Sequence, residues 1–237
     1  MGRVDYDYLM TSVTGSHWED MDKMFHSHGF PDDKIIELHT KNPARAFQVA
    51  GPFDAVKLED GDKFTVGGYE FKCIYVPGHT PGNTCLYYEK DALMFLGDHV
   101  HFDITPNITS WYGVRDSLSN YIESLKKIRQ YKMETALPAH RNTKGINVYD
   151  RIDQLLVHHQ ERLKDTEKVV RMIPGSTAYE IAAYMKWQMR GKNWEESPVS
   201  QRWFAVGETI AHLDYLMNKG LVRCDVDSEG IHRYTMI

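Results

Sequence analysis

Three residues combine a side chain able to bind metal or move a proton with the same local setting. His79 follows Val76-Pro77-Gly78, Asp98 follows Phe95-Leu96-Gly97, and His140 follows Leu137-Pro138-Ala139. Each stands just past a short apolar run that reads as a strand, in a turn of Pro, Gly or Ala. Strand ends that share a rim are where a sheet scaffold converges side chains on one point. Neutral imidazoles and a carboxylate suit zinc, iron or manganese, and a carboxylate can also bridge two ions. Taken singly, each has an ordinary explanation: a His in a Pro-Gly turn is a surface residue, and an Asp after Gly is a turn former. Their recurrence on three separate strand ends favours a metal rim.

The elements around these residues can be read from periodicity. The first forty residues read as helical. Trp18, Met21, Met24 and Phe25 recur at helical spacing, Gly29 stands at a C-cap position, and Pro31 opens a second helix that ends near Asn42-Pro43. The period then changes. Short apolar runs at 56–58, 63–66, 70–76, 84–88 and 92–96 alternate with Gly, Pro, Asn and Asp turns, which predicts a β meander. Leu118, Tyr121, Ile122, Leu125 and Ile128 form a helical stripe within 116–131, residues 135–138 read as a strand, and 146–170 as a long helix. Ile173-Pro174-Gly175 marks a boundary. Beyond it come a Thr177/Glu180 capping box, a helix from Pro198 to Asn218 closed by Gly220, and a hairpin around Asp227-Ser228-Glu229-Gly230. Helix, helix and hairpin make a winged-helix-like module, which predicts two domains, 1–172 and 173–237.

Composition narrows the function classes. The net charge of −5 argues against non-specific binding to nucleic acid or anionic membranes. The winged-helix-like segment carries seven Lys and Arg against eight Asp and Glu from Gly175 onward, whereas a DNA reader is basic. Three cysteines, with no Cys-x-x-Cys, are an odd count for a disulfide framework, so Cys73 and Cys85 read as buried small hydrophobes. With no disulfide framework a reducing cytoplasm is the expected location; no apolar run is long enough to span a bilayer and no signal-like h-region opens the sequence. A small-molecule substrate is the expected partner.

The run Val76-Pro77-Gly78-His79-Thr80-Pro81-Gly82-Asn83 resembles the third metal motif of the metallo-β-lactamase superfamily. Leu96-Gly97-Asp98 resembles its bridging-aspartate motif, and Leu137-Pro138-Ala139-His140 its last metal histidine. The similarity runs from about residue 17 to the end and includes the terminal module, as in the branch similar to β-lactamase-like protein 2. The resemblance implies a metal-dependent hydrolase of α+β class with up to two divalent ions, zinc or else iron or manganese. His79 would ligate the first ion, His140 the second, and Asp98 both, with a water acidified by the ions as nucleophile. The family's substrates include thioesters, lactams, lactones, phosphodiesters and RNA.

The sequence departs from the family at one place. No His-x-His-x-Asp-His occurs: His26-x-His28 lies in a helical segment, and His99-x-His101-Phe102-Asp103 has Ile104 where the last His should be. The resemblance therefore implies an incomplete αββα sandwich, truncated before its first metal motif, with each ion left two protein ligands where a catalytic zinc takes about three. Weak or single metal binding is expected, with His99 and His101 as candidates to complete the site or line the pocket. Trp111 and Tyr112 are candidates to line a substrate cleft. A sandwich lacking part of its layers would expose apolar faces and self-associate. A non-catalytic interaction domain and a nuclease-like protein are the alternative readings.

Overall fold

The structure, a computed structural model, describes residues 1–188 and 193–237. The chain is mixed α+β. In order come α1 (Arg3–Thr14), α2 (His17–Ser27), α3 (Asp32–Lys41), α4 (Pro43–Ala46), β1 (Lys63–Val66), β2 (Tyr69–Tyr75), β3 (Thr84–Tyr88) and β4 (Leu93–Gly97). Then follow α5 (Ser117–Arg129), β5 (Thr135–Pro138), α6 (Val148–Met172), α7 (Ala178–Tyr184), α8 (Val199–Asn218), β6 (Val222–Val226) and β7 (His232–Met236). They pack as two compact units, neither of them one continuous stretch: Met1–Met10 with Phe53–Ile108 and Ser117–His159, and Thr11–Pro52 with Thr109–Asp116 and Gln160–Ile237.

The first unit is built on a sheet of order β1-β2-β3-β4-β5. The first four strands form the expected antiparallel meander, and β5 joins parallel to β4, with Phe95 opposite Leu137 and Gly97 opposite Pro138. The run at 56–58 does not become a strand. Leu58 forms an isolated bridge to Gly2, and Val56 accepts from the N-terminal amine. Alternation sends Ile74, Cys85, Tyr87, Met94 and Leu96 to one face, where all are buried together with Leu118, Tyr121, Leu125 and Ile128 of α5 and Ile152 and Leu155 of α6. Cys73 is also fully buried. Hydrogen bonds fix α5 in place: the Ser124 hydroxyl donates to the Pro77 carbonyl and Lys127 Nζ to that of Tyr75, both at 2.9 Å.

The opposite face of the sheet is apolar and in part exposed. Phe71 touches Phe64, Tyr88 and Phe95 at ring separations of 5.8, 5.9 and 5.8 Å. Phe95 is 41% exposed and Leu137 37%. On the same face Cys73 is fully buried, and Phe64 and Leu86 border a cavity with Gly2 and Leu58, so the exposed apolar part is the stretch around Phe95 and Leu137.

The second unit packs α2, α3, α7 and α8 with the hairpin β6–β7. Met21, Phe25, Phe30, Leu38, Ile181, Ile210 and Leu213 fill its core, with Phe25 stacked on Trp203 at 4.9 Å. The capping box is present: Thr177 Oγ1 accepts from Glu180 N–H and Glu180 Oε2 from Thr177 N–H. The buried Tyr234 hydroxyl hydrogen-bonds to His28 Nδ1 at 2.7 Å and ties the hairpin to the end of α2. Among the described residues no helix is long and apolar enough to cross a membrane.

Candidate metal rim

The three strand-end residues reach the rim by different local devices. β2 leads into Val76-Pro77-Gly78, where Gly78 has φ +144° and a Cβ would run into Tyr121, so only glycine admits the close approach to α5. The next residue, His79, donates from Nδ1 to the Asn107 carbonyl at 2.9 Å. A carbonyl only accepts, so Nδ1 bears a proton, and in the neutral ring the lone pair lies on Nε2, the form a ligating imidazole requires. Asp5 of α1 clamps the following turn: its carboxylate accepts from Thr80 Oγ1 at 2.7 Å and from Gly82 N–H at 2.5 Å. Burial raises the Asp5 carboxyl above the usual range, and those two hydrogen bonds and the nearby His79 oppose the rise.

Asp98 and His140 meet because β4 and β5 are parallel neighbours ending together. Gly97 pairs with Pro138, and Ala139 N–H donates to the Gly97 carbonyl at 3.0 Å. Asp98 Oδ1 then lies 3.2 Å from His140 Nε2 and 3.2 Å from His101 Nε2. The His101 and His140 rings stack at 5.7 Å. Oδ1 is buried and neither contact has hydrogen-bond geometry, so a carboxylate oxygen and two imidazole nitrogens face one another without satisfying one another. His101 is buried and His140 exposed. Burial lowers the His101 pKa, His79 and His140 lower it further, and Asp98 opposes them. Arg151 holds the His101 backbone, donating from Nε to its carbonyl at 2.6 Å.

His99 goes elsewhere. It is fully buried, with its ring edge-on to Tyr121 at 5.1 Å, and burial depresses its pKa to about 3. Trp111 and Tyr112 belong to the second unit, the former half-buried and the latter exposed. Asp5 and Asn107 escaped sequence reasoning. Asn107 acts through its backbone carbonyl, which has no residue-type signature, and Asp5 lies in a helix far from the loop it holds. His101 was visible only as a candidate to fill in. A cavity of about 550 Å³ opens beside the Asp5 clamp, lined by Gly2, Leu58, Phe64, Asn83 and Leu86 among others.

A profile of the metallo-beta-lactamase superfamily matches residues 13–140, more than half of the chain. The chain belongs to the metallo-beta-lactamase superfamily. A second profile, the metallo-beta-lactamase-like C-terminal domain, matches residues 198–237. A lactamase-like protein of Aspergillus niger is 22% identical over 78% of this chain and 68% of its own. An atrochrysone carboxyl ACP thioesterase of Aspergillus novofumigatus is 25% identical over 56% and 38%, and an acyl-coenzyme A thioesterase of Bos taurus 26% identical over 43% and 37%. Among solved structures, a beta-lactamase domain protein from Burkholderia ambifaria superposes on the whole of this chain and 65% of its own, with a TM-score of 0.79 and 26% identity. This superfamily chain thus spans about two thirds of that structure's length.

Superfamily membership implies divalent metal, and the rim can be tested against it. The donors suit such an ion in kind: His79 in a ligating tautomer, and an orphaned Asp98 oxygen between two imidazole nitrogens. They fall short in arrangement. Among the described residues no group of three or more His, Cys, Asp or Glu side chains converges in a geometry that could hold a metal ion.

Proposed function

We propose that this chain carries part of the hydrolytic centre of a metal-dependent hydrolase acting on acyl esters and thioesters. The observation that carries the reading is the meeting of Asp98, His101 and His140 about one orphaned carboxylate oxygen, at paired strand ends of a metallo-beta-lactamase superfamily chain. The thioester class is favoured over lactams and phosphodiesters because relatives named as acyl thioesterases are among those it resembles. The cavity beside the Asp5 clamp is apolar along Leu58, Phe64 and Leu86 and falls in the size range of small-molecule sites, which suits an acyl group.

In this reading His79, Asp98 and His140 are metal ligands and His101 supports them. Zinc, iron or manganese is the ion. The chain's own groups prepare the rim. Asn107 fixes the His79 tautomer, Asp5 fixes its loop, and Arg151 holds His101. Asp98 supplies the negative charge that ion binding and activity both need. The test is thiol release from acetyl-N-acetylcysteamine by the protein supplied with zinc, manganese or iron(II). Release that a chelator abolishes and Asp98→Ala lowers at least a hundredfold is expected. Release indifferent to both contradicts the reading. The shortfall in donors favours a second one, a non-catalytic interaction domain, which predicts no release with any metal.

A further inference from the structure

The loop that follows His140 carries a cationic pair with no part in the rim. Arg141 and Lys144 both stand in left-handed backbone, at φ +66° and +50°, although neither is glycine. Such conformations persist where surrounding structure enforces them, and they gather at functional sites. The turn is held by Lys144 N–H donating to Asn142 Oδ1 and Ile146 N–H to the Thr143 carbonyl. Both cations lean on one atom. Arg141 Nη1 is 3.5 Å and Lys144 Nζ 3.7 Å from Asp103 Oδ2, which are long contacts for ion pairs. Asp103 is 9% exposed in its side chain, while Arg141 and Lys144 are 53% and 56% exposed.

The local charge does not close. One carboxylate faces two cations, and Arg151 also lies within its field. Arg151 is committed, donating to the carbonyls of His101 and Ile104 and to Gln154 Oε1. Arg141 and Lys144 are thus left one negative charge short, next to His140, on a protein whose net charge is −5. Asp103 Oδ1 is buried and accepts no hydrogen bond among the described residues, and Oδ2 accepts only the long one from Arg141 Nη1. Two solvent-facing cations, pre-positioned and only loosely satisfied, make a receptor for a carboxylate or phosphate.

We propose that Arg141 and Lys144 bind an anionic group of the substrate turned over beside Asp98 and His140. This rests on the hydrolase reading and deepens it. In a thioester the anion has two sources. It is a carboxylate at the far end of the acyl group, or a phosphate on the thiol portion. Asp103 occupies the pair when substrate is absent and yields when the anion arrives.

Binding without turnover tests this whatever the outcome of the hydrolysis assay. Calorimetry on the whole chain would use glutarate for the acyl source and coenzyme A for the thiol source. One of the two is expected to bind in a salt-dependent manner, and which one names the source. Replacing the pair, Arg141→Gln with Lys144→Gln, should weaken that binding about tenfold or more. Asp103→Asn should tighten it, because it removes the internal competitor; a purely structural role for Asp103 predicts no tightening. Lys126→Gln, an exposed cation of α5 paired with Glu123, controls for overall charge and should leave binding as it was. Neither probe binding, or equal loss from the pair and from Lys126→Gln, would overturn the proposal. So would weaker binding in Asp103→Asn.

Discussion

At the scale of single residues, the rim depends on groups whose chemistry is set by what surrounds them. Asp5 gives up solvation to hold Thr80 and Gly82, so its removal loses two hydrogen bonds to a carboxylate and regains some hydration. Asp5→Ala is expected to cost about 1–2 kcal/mol of stability, read by chemical denaturation. His28 shows a pH effect with a definite sign. Burial depresses its pKa from 6.5 to about 3, with His232 adding to the drop. The unfolded chain therefore takes up a proton below pH 6.5 that the folded chain refuses until about 3. Stability falls as pH falls through that window, by up to about 1.4 kcal/mol per pH unit. Asp214 works the other way: burial raises its pKa from 3.8 to about 6, so its contribution is lost as pH rises through that interval. The comparison of parent and His28→Gln between pH 7.5 and 5 isolates the first effect. The variant should show the shallower decline, and parallel curves would contradict the assignment. His79, Asp98 and His140 were legible in the sequence because each pairs a donor with a turn after an apolar run. That His101 joins Asp98 while its neighbour His99 turns into the core was not, because two residues of one short loop differ only in backbone path.

At the scale of elements, the sequence told where the strands and helices lie, the run at 56–58 excepted, but not which strand would neighbour which. The meander, the Thr177/Glu180 capping box and the terminal hairpin all follow from short-range signals and are present. The parallel β4–β5 pair is a long-range choice, and it is what sets Asp98 beside His140. The winged-helix-like segment offered a boundary near residue 173, while packing groups α7, α8 and the hairpin with α2 and α3 in one unit; a linear reading carries no trace of such distant association. Gly78 is the element-scale weak point. A Cβ there meets Tyr121 in a backbone region foreign to other residues, so Gly78→Ala should destabilise by about 2–4 kcal/mol and displace the His79 loop. A denaturation midpoint unchanged by the substitution would show that the turn and α5 do not approach as described. At the other end of the chain, Thr177→Ala should cost about 1 kcal/mol through the lost cap.

At the scale of the whole molecule, one face of the sheet is a continuous apolar surface. Phe64, Phe71, Tyr88, Phe95 and Leu137 line it, and apolar patches of this kind drive association. Self-association follows as a proposal, and sedimentation at micromolar concentration tests it: species larger than one chain are expected, shifted toward monomer by Phe95→Glu. A monodisperse monomer would remove the proposal. The same scale governs the metal. The superfamily's chemistry needs more donors than the described residues bring together, so the chain alone should hold no more than one ion per molecule, and weakly.

Metal content per chain, measured on the purified protein beside Asp98→Ala and His79→Ala, tests the account most directly. At most one zinc, iron or manganese ion per chain, with affinity reduced at least tenfold by either substitution, is the predicted result. Binding that ignores both substitutions, or no binding under any supply of these metals, would contradict the placement of a metal rim at His79, Asp98 and His140.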